Sequence, residues 1–181
     1  MQLLTEIALM LLRLVASFLG GALLLRAYMT WLRVGYRNPL AQFVVAVTDW
    51  AVRPLRAVLP RTSRWDWASL AAAFLIALVS VAAADAIGGK MALDAAWLLP
   101  LALGLMLRWA LYLALTLVFV YGLLSIVNPE APLAPTFDLL TRPLLAPFRR
   151  VIPPVGGFDL SPMALIAVIW ILLLIVDSAG V

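Results

Sequence analysis

The chain contains no cysteine and no histidine among its 181 residues. The first absence excludes disulfides, thiol chemistry, thiolate metal sites and covalent c-type haem attachment. The second removes the usual general base, haem ligand and metal ligand. Charge is scarce too: 12% of residues are Asp, Glu, Lys or Arg, whereas 66% are hydrophobic. A soluble domain of this length needs a polar exterior that such a composition does not supply. Lipid is therefore the expected solvent. With no plausible nucleophile–base pair or metal cluster, the chain reads as a non-enzyme without a cofactor. Its net charge of +4 rests mostly on arginine. Nucleic-acid binders share that trait, but apolar segments separate these arginines, which points to membrane topology and not to nucleic acid.

Four long apolar segments are present, 7–32, 67–87, 97–127 and 160–176. Each is long enough for a helix across a ~30 Å hydrocarbon core, and a helix satisfies its own backbone in lipid. The third exceeds that thickness and should tilt or project. The stretch Met1–Glu6 has no basic residue and no small-residue cleavage motif follows it, so the first segment reads as a retained helix rather than a signal peptide.

Two further segments are amphipathic. In 38–60 the polar residues Gln42, Asp49, Arg53 and Arg56 fall on one helical stripe among apolar neighbours, and Pro54 should limit the helix near its end. In 132–153 the same pattern returns with Asp138, Arg142 and Arg149. Both are expected to lie in the membrane interface or dip into the bundle.

This recurrence is an internal repeat. One constant shift of 93 residues (Tyr121 less Tyr28) also superposes Pro39 on Pro132, Thr48 on Thr141, Pro54 on Pro147, Arg56 on Arg149, Pro60 on Pro153 and Asp66 on Asp159. Matches at Pro, Arg and Asp are not cheap in an apolar chain. The expected fold is an all-α membrane protein of four transmembrane helices, arranged as two parallel repeats of span, amphipathic helix and span, over 1–88 and 89–181. The loops of the repeats hold Arg33, Arg37, Arg53, Arg56, Arg61, Arg64, Arg142, Arg149 and Arg150, while the link between repeats holds Lys90 beside Asp85 and Asp94. By the positive-inside rule, both loops face the cytoplasm and both termini the periplasm, in a bacterial inner membrane.

The segment TRPLLAPFRRVIPPVGGFDLSP (141–162) and the apolar helix after it closely resemble the signature of the YggT family. A weaker upstream copy, TDWAVRPLRAVLP with Asp66 six residues later, resembles the family's first repeat, and with the flanking spans the likeness covers nearly the whole chain. It departs at Trp50, where the family pattern has proline, and at 61–64, where the Pro-x-Gly-Gly turn is missing. The resemblance implies a small membrane protein with no established catalytic activity. It also implies links to osmotic tolerance, cation uptake, cell-division gene clusters, and plastid biogenesis with cytochrome maturation.

Candidate lipid- or partner-binding residues are Arg53, Arg56, Arg142, Arg149, Arg150 and Asp159. Arginines beside a rigid turn suit an anionic headgroup, a phosphate or an acidic loop of a partner. The structural alternative has Pro153–Pro154 stopping a helix, Gly156–Gly157 turning the chain, and Ser161 capping a helix that begins at Pro162. Asp159 and Asp66 would then fix their loops by pairing with Arg149 and Arg56 or with backbone N–H groups. Arg13 and Arg108 lie within spans, and Asp85 and Asp177 end the spans that return to the same side. Structural pairs among these four are the default, and the lining of a polar pathway the alternative. Small residues, Ala16 with Gly20 and Ser17 with Gly21, permit close helix approach.

Two functions fit. One is an assembly, scaffolding or accessory factor for a membrane complex or for lipid organisation, with lipids and a membrane-protein partner or a second copy as its contacts. The other is an oligomeric conductor of ions or solutes in osmotic tolerance or cation uptake.

Overall fold

The computed structural model describes residues 2–35, 38–59, 65–88, 95–152 and 159–178. They form six helices, α1 (Gln2–Trp31), α2 (Pro39–Val58), α3 (Trp67–Ile87), α4 (Ala95–Val127), α5 (Ala134–Val151) and α6 (Ser161–Ser178), with no strand among the described residues. Four of these, α1, α3, α4 and α6, are long and apolar enough to cross a membrane. This is the makeup of a multi-pass membrane protein.

The helix limits differ from the hydropathy limits at several ends. The first helix begins at Gln2, not Ile7, and the fourth span runs on to Ser178 and so includes Asp177. Hydropathy marks where lipid is tolerated, whereas a helix continues while its backbone bonds can be made. Proline is accommodated in the same way. Pro54 lies inside α2, which continues to Val58, and Pro143 and Pro147 lie inside α5. Each removes one backbone donor, a loss that packing against neighbours outweighs.

The ends are capped by identifiable groups. α1 closes with Arg33 at φ 56°, and the Val34 N–H reaches back to the Met29 carbonyl at 2.9 Å, a left-handed C-cap. Asn38 starts α2, its side-chain oxygen accepting from the Leu40 N–H at 2.9 Å, with Pro39 at the first helical position. Asp66 starts α3 and accepts from the Ser69 N–H.

The helix α4 is the hub, touching α1 and α3 on one side and α5 and α6 on the other. α2 packs on α1 and α3, and α5 packs on α4 and α6. In the first half, small side chains make the core, with Ala16, Ala72, Ala73 and Ala77 buried beside Leu23, Val52 and Trp109. Small residues let backbones approach where no hydrophobic drive separates helix from lipid. In the second half, Val118, Leu145, Leu165, Ile169 and Leu173 make a bulkier core. Thus α6 presents one packed face, while Trp170, Ile171, Leu174 and Ile175 are exposed for lipid.

Between the halves the amphipathic helices meet. Met29, Ala41, Val44, Leu117 and Leu140 share one buried cluster. The Tyr28 hydroxyl donates to the Leu140 carbonyl at 2.7 Å, and the Asn38 amide donates to the Thr136 hydroxyl. The two amphipathic helices bury Thr48 and Thr141 at matching positions, and their hydroxyls bond the carbonyls of Val44 and Phe137 one turn back. This pairing satisfies a buried hydroxyl locally.

Candidate functional site

The densest polar site lies where α1, α2 and α3 converge. Its centre is Arg26, on α1, which is buried at 4% exposure. One amino group of Arg26 donates to the Thr48 hydroxyl at 2.9 Å, and the other to Asp49 Oδ1 at 3.1 Å. Its Nε stands 3.8 Å from Asp66 Oδ2, an ion pair too long for a hydrogen bond. The Asp66 side chain is itself 5% exposed. It accepts from the Arg56 guanidinium at 2.9 Å, from the Ser69 hydroxyl at 2.8 Å and from the Ser69 N–H at 3.2 Å. One carboxylate therefore ties the first span, the amphipathic helix and the second span together. The sequence reading missed Arg26. The signal was available, since an arginine inside an apolar span requires a carboxylate, and Asp49 leads the polar stripe of the next helix. That stripe is consequently not all outward: Asp49 turns to Arg26, while Arg53 is 84% exposed and stands 3.7 Å from Asp49.

The second half has a more open counterpart. Arg149 donates from Nε to Asp159 Oδ2 at 2.8 Å and from an amino group to the Tyr121 hydroxyl at 3.0 Å, with its guanidinium 5.9 Å from the Tyr121 ring centre. Asp159 Oδ1 accepts from the Ser161 N–H at 2.9 Å. The carboxylate two residues earlier thus takes the capping place expected of Ser161, and the helix begins at Ser161 rather than Pro162. Burial disfavours the Asp159 carboxylate, but bonds from Ser161 and Arg149 outweigh it and hold the group below the ordinary carboxylate range. Burial likewise opposes the Arg149 charge, yet its bonds to Asp159 and Tyr121 raise its pKa above the usual value. The stabilisation from Asp159 is complete above the ordinary carboxylate pKa and is lost as pH falls through the depressed one.

The difference between halves has a simple cause. The position 93 residues after Arg26, the offset between the two motif copies, is Phe119, which is 62% exposed. Asp159 therefore has one guanidinium partner and stays 38% exposed, where Asp66 has two and is 5% exposed.

The remaining candidates separate. Arg142 pairs with Asp138 one turn away at 2.6 Å and is 65% exposed; Arg150 is exposed. Arg108 pairs with Asp177. Among the described residues Arg13 and Asp85 make no ion pair with each other or with another residue, and both line a broad groove along α1 and α4. Arg37, Arg61, Arg64, Lys90, Asp94, Pro153–Pro154 and Gly156–Gly157 lie outside the described residues. Among the described residues, no group of three carboxylates, histidines or cysteines is placed to hold a metal ion.

Comparison with known proteins agrees with this architecture. A family model described as CCB3/YggT matches residues 5–87 and 100–179. The chain is 32% identical over 156 residues to a protein of Escherichia coli K12 named "Uncharacterized protein YggT", covering 83% of this chain and 78% of that protein. It is 31% identical over 145 residues to a Vibrio alginolyticus protein named for the region 3′ of proC, covering 78% of each. It is 30% identical over 149 residues to an uncharacterized protein of Haemophilus influenzae, covering 81% of this chain and 78% of that one. No solved structure matches. With the family model spanning both halves of the molecule and these relatives matched over most of their length, the chain belongs to the CCB3/YggT family.

Proposed function

We propose that the protein is a non-enzymatic scaffold of the inner membrane, an assembly or accessory factor that presents two anchored amphipathic helices to lipids or to a membrane-protein partner. The observation that carries this reading is where the charges go. Arg26, Arg56, Asp49 and Asp66 are engaged helix to helix, as are Arg149 with Asp159 and Arg108 with Asp177. Charges used in this way fix geometry and leave little for chemistry or conduction. The outward faces of the same helices carry Phe43, Trp50 and Arg53 on α2 and Arg142 and Arg150 on α5, an aromatic and cationic surface suited to the interface. The alternative, an oligomeric conductor in osmotic tolerance or cation uptake, needs polar groups along a continuous path, and the paired charges argue against it.

Reconstitution separates the two. Potassium-loaded vesicles containing the protein should leak no faster than protein-free vesicles, and mild detergent should extract the chain in a complex heavier than one copy. Selective, protein-dependent flux would replace the scaffold with the conductor.

We further propose that the halves are parallel repeats with their arginine-rich loops in the cytoplasm and both ends in the periplasm. The family model's match in each half supports this, as do the Arg56–Asp66 and Arg149–Asp159 pairs at a common offset. A reporter fused after Val181 should read as periplasmic, and one inserted near Arg61 as cytoplasmic. A cytoplasmic C-terminus would reverse the orientation.

A further inference from the structure

A groove of about 1030 Å³ runs along α1 and α4 and is lined also by the second half of α3 and the start of α2. Its walls are mostly apolar, with Phe18, Leu105 and Trp109 among them, and Gly21 on its floor. Arg13 and Asp85 line the same groove, Arg13 in the N-terminal half of α1 and Asp85 near the end of α3. Neither side chain makes an ion pair or hydrogen bond among the described residues, although both belong to spans. They also do not pair with each other. An intramembrane charge in that state calls for a partner from outside the chain.

We infer that the groove holds one aminophospholipid, its phosphate on Arg13, its primary ammonium on Asp85 and an acyl chain along the apolar wall. Charge complementarity selects this occupant. A purely anionic headgroup would satisfy Arg13 but place negative charge beside Asp85, and a quaternary ammonium has no N–H to donate to a carboxylate. A phosphate carrying a primary amine satisfies both. Length agrees as well. From Arg13 to Leu25, the lining stretch of α1 is about 18 Å long at ~1.5 Å per residue. One leaflet of the hydrocarbon core is about 15 Å, half of ~30 Å. Arg108, also on the groove, is held by Asp177. The inference stands apart from the scaffold reading, because it rests on Arg13 and Asp85, which that reading does not use.

The test is native mass spectrometry of the full chain in mild detergent, titrated with phosphatidylethanolamine, phosphatidylcholine or phosphatidylglycerol of identical acyl chains. The wild type should take up one phosphatidylethanolamine at clearly lower concentration than either other lipid. Arg13→Gln and Asp85→Asn should each weaken that uptake roughly fivefold, the scale for one charge near a headgroup. Gly21→Phe should abolish it. Gly21 lines the groove, and a Cβ there meets no atom within 4 Å, so there is room on that side for a larger side chain to begin. Equal uptake of the three lipids overturns the inference. So does preferred phosphatidylglycerol uptake that Asp85→Asn leaves unchanged, which would make the groove a plain anion site. Retained phosphatidylethanolamine with a changed oligomeric mass in Gly21→Phe also overturns it, since a second copy would then cover the groove.

Discussion

Replacing Arg26 by leucine should destabilise the protein by about 3–5 kcal/mol, the range for breaking a buried ion pair by removing one partner. The guanidinium is 4% exposed and is engaged by Thr48, Asp49 and Asp66 on two other helices. Leucine fits an apolar span, so insertion should not suffer. The loss comes from the carboxylates left behind. Asp66 keeps Arg56 and Ser69, but its burial then rests on a single cation; Asp49 keeps Arg53 at 3.7 Å, which is exposed and contributes little. Arg26→Lys should recover part of the loss, because an ammonium lacks the planar fork that reaches Thr48 and Asp49 together. Thermal unfolding in detergent, read by near-ultraviolet circular dichroism, measures this. An unchanged midpoint in Arg26→Leu would show that the network does not hold α2 to the bundle. Phe119→Arg, which installs an arginine at the corresponding place in the second half, should give no comparable gain, because Phe119 faces lipid.

A single methyl group at Gly20 should have the second-largest effect, and the same change one residue later should have almost none. A Cβ on Gly20 would sit 2.1 Å from Trp109 Cε3, closer than any real contact. Trp109 is 4% exposed and packed in the core between α1 and α4, so the ring cannot move freely. Gly20→Ala must separate the two helices or turn the indole off its rotamer, a cost of about 1–3 kcal/mol for overpacking. Gly21→Ala meets open space and should be neutral or slightly stabilising, since alanine gains up to about 1 kcal/mol over glycine in a helix. The pair Gly20→Ala with Trp109→Leu should recover stability relative to the sum of the single changes. Equal midpoints for Gly20→Ala and Gly21→Ala would contradict the close approach of α1 to α4.

These two cases show where the sequence could be read and where it could not. The spacings Ala16 with Gly20 and Ser17 with Gly21 are identical as patterns, and both mark close helix approach. The fold uses the first as a contact and opens the second onto a groove. The difference is a rotation of α1 about its own axis, set by the shape of Trp109, which lies far along the chain. Arg13 and Arg108 likewise read alike, as arginines inside apolar spans, and Arg26, which that reading passed over, carries the same signal. Arg26 is buried in a three-helix network, Arg108 pairs with Asp177, and Arg13 makes no pair among the described residues.

By itself the sequence determined the four long apolar helices and the two amphipathic helices between them, and it offered the arginines ten residues before Asp66 and Asp159 as one of two kinds of partner for these carboxylates. Hydropathy and helical periodicity are sums over neighbouring residues, and a partner ten residues away across a turn is nearly local. The tertiary structure alone decided that Arg26 anchors α2, that Gly20 receives Trp109, that Tyr28 and Asn38 join the two halves, and that Arg13 and Asp85 share a groove. Each depends on the rotation and vertical offset of one helix against another. In lipid, those are fixed by the fit of side chains over many contacts, which no window along a single chain contains.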